Sequence, residues 1–417
     1  MAEQKGKILV IGGGISGLTT ALEAAEVGYE VILVEKNPAL GGRVSRFYQY
    51  FPKLCPPLCG LEINYKRLKP NSRIQTLTDS EVVSISGNAG SYQVKIKTNP
   101  AYVNDKCVSC DKCTDVCPAE RDNDYNYGLD KTKAVYLPYK MAWPAKYTIE
   151  RSICPEGCTK CVEACVYDAI DLQAQETLME IEVASIVYAT GWRPYDAAKI
   201  ENLGYGKVPN VINNVTMERI ASGQGPTKGQ ILRPSDQKKV ESIAFVQCAG
   251  SRDENHLPYC SAICCMASLK QAKYVREANP DAKIYIFYID LRTPGKYEDF
   301  ASAIQNDENI TLVKGKVAKI VEGKGQNAVV QAEDILNGNK VNLEVDMVVL
   351  ATGMESSLKG SSLPQAVQVD ENGFVAPNIQ KNGVIGAGTA KFPSDVNSSI
   401  QDSTGAALRA IQTVVGS

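Results

Sequence analysis

The residues of this 417-residue chain best suited to chemistry are its fourteen cysteines, twelve of which fall into three sets of four. Cys107, Cys110, Cys113 and Cys117 are separated by two, two and three residues, and Pro118 follows the last. Cys154, Cys158, Cys161 and Cys165 come about forty residues later, and Cys248, Cys260, Cys264 and Cys265 gather within eighteen residues. Nothing in the opening Met1–Lys7 reads as an export signal, so these thiols are expected to bind metal or carry electrons, since a reducing cytosol disfavours structural disulfides. The single histidine, His256, is read as a surface-loop residue, and it leaves little material for imidazole-based hydrolysis or a His-rich metal site.

The first run resembles the C-x2-C-x2-C-x3-C-P pattern of two-cluster ferredoxins, in which three thiolates hold one cluster and the fourth serves the other. By that crossover, Cys107, Cys110, Cys113 and Cys165 are expected to bind one 4Fe-4S cluster, and Cys117, Cys154, Cys158 and Cys161 a second. The second run departs from the pattern in the longer Cys154-Pro-Glu-Gly-Cys158 spacing and in Val166, where proline often follows. Zinc is the alternative occupant, because soft thiolates also suit it. The third set is expected to hold one further 4Fe-4S cluster; simple buried thiols are the alternative. Cys55 and Cys59 are left over, as a thiol pair near a cofactor, ligands to a shared site, or structural residues.

Positioning elements surround these sets. Lys7–Ile11 reads as a strand running into Gly12-Gly13-Gly14-Ile15-Ser16-Gly17, then a helix over 18–27 and a second strand over 30–34 ending at Glu35. That is a β-α-β unit with G-x-G-x-x-G in place: glycines admit a pyrophosphate to the amides of Ile15, Ser16 and Gly17, and Glu35 can bind a ribose. Lys36, then Gly42 and Arg43, follow as in flavoproteins with two dinucleotide domains, which favours FAD; a surface turn is the alternative for Gly41-Gly42. Strands into Ala189-Thr190-Gly191 and Ala351-Thr352-Gly353 resemble the A-T-G turns of that class. Gly386 and Gly388, then the polar segment 394–399 with Val396 and a helix to Ala410, resemble its last FAD-contacting strand and helix, although the class usually has an aspartate where this chain has Gly388.

The expected fold is therefore α/β: a thioredoxin-reductase or glutathione-reductase-like flavoprotein with two dinucleotide domains and an inserted two-cluster ferredoxin domain. Its expected divisions are 5–98 (FAD domain, first part), 99–176 (insert), 177–200 (FAD domain return), 201–342 (second nucleotide-type domain) and 343–417 (FAD domain, final part). The insert is expected to carry an extended linker, with Tyr136-Leu137-Pro138 and Trp143-Pro144, packed on its host. In the second domain no glycine-rich phosphate loop follows the strand over 242–246, and cysteines stand there instead. One-electron transfer through a cluster is then expected in place of hydride transfer from a nicotinamide.

With the FAD fingerprint, the cysteine insert and the C-A-G-S-R…Y-C-S-x-x-C-C segment, the chain resembles the A subunit of heterodisulfide reductase. In size it is similar to the A subunit of the quinone-interacting membrane-bound oxidoreductase of sulfate reducers, ending without a further ferredoxin module. That resemblance implies an electron-relaying, electron-bifurcating flavin subunit in anaerobic sulfur metabolism. Its implied partners are a related subunit with flavin and iron–sulfur centres, together with a quinone-linked membrane subunit, which would hold a cytoplasmic chain at the inner membrane face. The competing reading is a stand-alone NAD(P)H-dependent reductase; a zinc-stiffened scaffold is a third. With 45 Lys and Arg against 47 Asp and Glu, nucleic acid is not an expected partner. No apolar stretch is long enough for direct membrane insertion.

Overall fold

A computed structural model of the chain describes residues 6–361, 367–376 and 382–416; the opening Met1–Lys5, read above for targeting, lies outside them. The described residues form eight α-helices: α1 (Ile15–Glu26), α2 (Pro57–Leu68), α3 (Lys112–Asp115), α4 (Lys160–Ala164), α5 (Asn214–Ala221), α6 (Cys264–Ala278), α7 (Tyr297–Gln305) and α8 (Val396–Gly416). The chain divides into two compact units, one of residues 1–192, 356–392 and 396–417, the other of 193–355 and 393–395. None of the helices is long and apolar enough to cross a membrane.

The first unit is built on a five-stranded parallel sheet, in the order Val384–Gly386, Ser185–Tyr188, Ile8–Ile11, Val31–Val34, Ile74–Leu77. Its strands are apolar on both faces because both are covered, the usual condition of a parallel sheet. Ile8, Val10 and Leu33 face α1 and α8, whose small residues Ala21, Ala25, Ala406 and Ala410 allow close helix packing. Leu9, Ile32 and Ile186 face the other way, onto Tyr92, Val94 and Ile96 of an antiparallel three-stranded sheet.

That second sheet explains how the cysteine-rich segment is accommodated. Strands Ser91–Thr98 and Thr177–Val183 are antiparallel neighbours, with Thr98 opposite Thr177. The insert leaves the sheet at one strand end and returns at the adjacent one, so it occupies the place of a hairpin loop. Just beyond that gate, Asn104 N–H donates to Ala169 O at 2.9 Å and Asp171 N–H to Tyr102 O at 2.9 Å, tying its two ends together. Inside, strands are two or three residues long, and the buried set is small: Val103, Ala134, Val135, Tyr147, Ile149 and Ile170 beside the cysteines. So little apolar area does not hold a segment of this size without covalent or metal cross-links.

The second unit repeats the architecture: a parallel sheet in the order Val211–Asn213, Met347–Thr352, Ser242–Ala249, Lys283–Tyr288, Ile310–Lys314, with an antiparallel sheet of 317–322, 328–334 and 339–345. The expected division at 343 is corrected by the sheet. Met347–Thr352 pairs in parallel with Ser242–Ala249 on one side and Val211–Asn213 on the other, so it is a central strand of this unit, which runs on to Glu355.

In the first unit the crossing of α1 over the first strand leaves no room at Gly17. A Cβ there would stand 1.8 Å from the carbonyl oxygen of Gly12. Gly17→Ala is expected to destabilise the unit by about 3 kcal/mol, the upper end of overpacking costs. That corresponds to a thermal midpoint lower by roughly 6–12 °C; an unchanged midpoint would contradict the crossing.

Candidate functional site

In the first unit the glycine loop and the Gly41-Gly42 segment form one cradle. Gly41 N–H donates to Gly13 O at 2.8 Å, and Gly14 and Gly41 form an isolated parallel bridge. Gly42 has φ +54, and a Cβ on it would come 2.9 Å from Gly14 Cα, so the two loops touch backbone to backbone and the segment is not a free surface turn. A Cβ on Gly14, by contrast, would meet only Gly42 Cα, at 3.8 Å, which leaves the space over the α1 N-terminus open. The α1 N-cap, Gly14, has no side-chain cap, so the first amides of the helix point into that space. This is the donor set an anionic pyrophosphate needs.

Glu35 is 5% exposed and organises the loop beneath. One carboxylate oxygen accepts from Gly13 N at 2.6 Å, and the other from Asn37 N at 2.8 Å. Lys36 lies exposed just beyond. Arg43 donates from Nε to Trp192 O at 2.5 Å, with its guanidinium over the indole ring. Thr190 Oγ1 is buried without a hydrogen-bond partner, a polar atom still to be satisfied beside Gly191. In the turn after the far strand, Gly388 has φ +57, and a Cβ there would stand 2.1 Å from Ser16 Oγ. An aspartate at 388 would therefore crowd Ser16. Asp402, on α8, brings a carboxylate to the same turn, accepting from Gly388 N at 2.8 Å and pairing with Lys391 at 2.5 Å. Gly386 ends its strand next to this turn, and Val396 opens α8. The sequence carries no local signal for Asp402, which acts from fourteen residues away.

Two of the expected cofactor residues belong to the second unit. Thr352 and Gly353 end a strand of the second unit, where Thr352 Oγ1 hydrogen-bonds Asn214 and a Cβ on Gly353 would meet Ser251 Oγ at 2.3 Å. Their A-T-G turn repeats that of residues 189–191 because the two units share an architecture.

The insert packs on that cradle through aromatic residues, as its linker was expected to do. Tyr139 donates to Leu40 O at 2.6 Å and its hydroxyl lies 2.7 Å from that of Tyr65, while Leu40 N–H donates to Trp143 O at 2.8 Å. Within the insert, Ser109 and Asp111, on either side of Cys110, both have left-handed backbone at φ 54 and 66. Non-glycine residues hold such angles at a cost of order 1 kcal/mol, typically at functional loops. Cys113, Cys117 and Cys161 are buried and Cys107, Cys154, Cys158 and Cys165 partly so, with Cys110 exposed; all but Cys110 and Cys158 share the insert's small core. Burial, with Cys107 adding, pushes the Cys113 thiol up to about 11, and burial likewise raises Cys161, with Cys154 and Cys158 adding.

In the second unit Cys248, Cys260, Cys264 and Cys265 line one small, partly open cavity together with Ser251, Arg252, Ser261, Ala262, Asp290 and Arg292. The cavity lies between the end of the strand Ser242–Ala249 and the start of α6, where a phosphate loop would sit. Cys248, Arg252 and Ala262 all have left-handed backbone, at φ 57, 56 and 62, and the strand's register breaks at Cys248 to aim it inward. Cys264 is pushed far above the ordinary thiol range by burial, then by Cys248, Cys265 and Cys260 around it. Arg252 pairs with Asp290 at 2.8 Å and hydrogen-bonds Cys248. His256 is half-buried rather than a surface residue, its Nδ1 2.9 Å from the Tyr195 hydroxyl, with no thiol between. Among the described residues no three His, Cys, Asp or Glu close on a point as ligands of a single ion would. Zinc would need its thiolates all about 2.3 Å from one centre.

The family profile described as FAD dependent oxidoreductase matches residues 7–50, the strand, glycine loop and acid of the cradle. Over 97% of its length the chain is 36% identical to the A subunit of the H(2):CoB-CoM heterodisulfide,ferredoxin reductase of Methanothermobacter thermautotrophicus, of which it covers 63%. It is 38% identical, again over 97%, to an iron-sulfur A subunit of the CoB–CoM heterodisulfide reductase of Methanopyrus kandleri, covering 64% of it. The chain thus spans a little under two thirds of these relatives. Among solved structures, thioredoxin reductases of Lactococcus lactis and T. acidophilum align with 99% of this chain and all of theirs, at TM-scores of 0.55 and 0.54 and 13% and 14% identity. They share the fold.

Proposed function

We propose that the chain, similar over nearly its whole length to heterodisulfide reductase A subunits and sharing the thioredoxin-reductase fold, is an oxidoreductase that relays electrons between FAD and three 4Fe-4S clusters. In this reading Gly12, Gly14, Ile15, Ser16 and Gly17 receive the FAD pyrophosphate and Glu35 its ribose. Gly42, Arg43, Thr190, Gly191, Gly386, Gly388 and the start of α8 at Val396 line the rest. Bound groups of this kind supply electron exchange in single steps, at potentials set by their surroundings. The chain's part is to hold them: Cys107, Cys110, Cys113 and Cys165 one cluster, Cys117, Cys154, Cys158 and Cys161 the second, and Cys248, Cys260, Cys264 and Cys265 the third.

One observation carries the proposal: four thiols open onto a single cavity at the strand-to-helix turn where a nucleotide phosphate would bind. Arg252 and Arg292 line the same cavity, and their charge suits an anionic cluster with its thiolates. A pyridine nucleotide would find no glycine loop there, which favours the relay over a stand-alone NAD(P)H reductase.

The relatives' names, all of subunits, motivate a multi-subunit setting, and the sequence's resemblance to the quinone-interacting oxidoreductase motivates the membrane partner. We infer that the chain is one component of a heterodisulfide-reductase-like complex, working with a related flavin and iron–sulfur protein and held at the inner membrane face by a quinone-linked partner. Anaerobic sulfur metabolism, with the flavin splitting electron pairs between acceptors, is the role this assembly would serve.

Protein purified without oxygen should carry FAD and about twelve iron and twelve sulfide per chain, and NADPH should not bleach it. Iron-free protein, or rapid bleaching, would end the proposal. Cys110→Ser should lose about four iron and keep its FAD, because the insert is spliced into a hairpin and leaves the cradle intact; unchanged iron would refute the ligand assignment. Gly14→Val should fold, since a Cβ meets only Gly42 Cα, yet lose FAD by filling the approach to the α1 amides. Full flavin occupancy in that variant would count against the cradle.

A further inference from the structure

Each of the four thiols in the second unit's cavity is met by an N–H. The Ala262 amide donates to Cys260 Sγ at 3.4 Å, the Cys248 amide to Cys264, and the Arg292 amide to Cys265. The fourth donor is of another kind, because Cys248 accepts from the side chain of Arg252. Hydrogen bonds placed in this way suit sulfur that carries negative charge, as a metal-bound thiolate does. Three of the donors are neutral main chain, and one brings a full positive charge.

The loop that carries Cys248 and Cys260 fixes Arg252 in place. Its backbone is left-handed at φ 56, and its N–H donates to Tyr259 O at 3.0 Å. The Ser251 and Ser261 hydroxyls, 2.7 Å apart, join the two arms of the loop, and Met354 N–H donates to Ser261 Oγ at 2.8 Å. Asp290, just past the strand Lys283–Tyr288, pairs with the guanidinium at 2.8 Å, so one side chain serves both carboxylate and thiol. The Arg252 side chain is 26% exposed and that of Asp290 51%, so water screens the acid more than the base and the pair leaves a positive field at Cys248. Burial, then the charge of Cys265, pushes the Cys248 thiol up, and Arg252 opposes both. Burial also raises Cys113 and Cys161 of the insert, where the opposition comes from backbone amides.

We propose that Arg252 raises the reduction potential of the iron–sulfur group held by Cys248, Cys260, Cys264 and Cys265, an inference that rests on reading those thiols as cluster ligands. Four thiolates make such a group anionic, and its reduction adds one electron and one further negative charge with no proton taken up. A fixed cation beside one of the sulfurs stabilises the reduced form more than the oxidised form, and its hydrogen bond to that sulfur acts in the same direction. The site accepts an electron more readily than the same four thiolates would without Arg252. Arg292 lines the same cavity, but its side chain is exposed and it reaches Cys265 through its backbone, so water screens its charge and it contributes less.

The test uses the intact protein, purified without oxygen and titrated with dithionite in the presence of redox mediators, the reduced clusters being followed by electron paramagnetic resonance. The signal of the second unit's site is the one that Cys264→Ser removes. Arg252→Gln should make reduction at that site about tenfold less favourable, a midpoint about 59 mV more negative for one electron. Its iron content and the insert's signals should stay as they are. Arg252→Lys keeps the charge and should recover most of the shift, and Arg292→Gln should move the midpoint by less than half as much. An unmoved midpoint in Arg252→Gln would overturn the proposal. Loss of iron from Arg252→Gln or Arg252→Lys would overturn it too, by making Arg252 a support of the loop. Absence of any signal that depends on Cys264 in the unaltered chain would instead remove the cluster beneath the inference.

Discussion

Backbone must touch backbone in the first unit, and the rest of its architecture follows from that. Gly12 turns with φ +109 beneath Ala189, whose carbonyl oxygen would lie 2.4 Å from any Cβ at 12, while Gly17 sits as tightly on Gly12 from above. Gly42 meets Gly14 in the same way. Two loops and a helix end are thereby compressed into one shallow cradle over the first amides of α1. The alanines of α1 and α8 extend the same economy of side chain into the helix layer, which lets the two helices lie close over one face of the sheet.

Around this rigid centre the chain adds chemistry by splicing. The cysteine segment enters and leaves between two hydrogen-bonded neighbours, Thr98 and Thr177, and then rests on the glycine loops through Tyr139 and Trp143. The second unit uses another device. It keeps the strand-turn-helix at Ser242–Ala278 but bends Cys248, Arg252 and Ala262 into left-handed backbone, so that thiols face the opening that a phosphate loop would otherwise surround. The two devices put cysteines on loops held by scaffold elements rather than on the elements themselves.

Much of this was legible in the sequence because it rests on local order. The strand, glycine loop, helix and Glu35 lie within thirty residues, and spacing alone separates the first two cysteine sets from the third. What escaped was long-range. Thr352-Gly353 looks like Thr190-Gly191 in isolation, and only strand pairing with Val211–Asn213 and Ser242–Ala249 assigns it to the second unit. Asp402 reaches Gly388 across a loop and a helical turn, so nothing near either residue announces the contact. His256 looked solvent-exposed because loops are usually wet, yet in its loop Tyr195, sixty-one positions away, half-covers it. Side-chain partners brought by tertiary folding are the information that a linear pattern does not hold.

The hairpin splice also bears on how the chain is made. Strand Ser91–Thr98 can pair at once with Ser80–Asn88, but its other neighbour, Thr177–Val183, is about eighty residues downstream. At ribosomal speeds of 5–20 residues per second that edge stays open for roughly 4–16 s on the nascent chain. An open edge of β-structure recruits foreign strands unless it is charged. Lys95 and Lys97 alternate along it, and Lys95 finally meets Glu180 of the late-arriving strand at 2.8 Å. The same charges therefore guard the edge during synthesis and select its proper partner when synthesis has caught up.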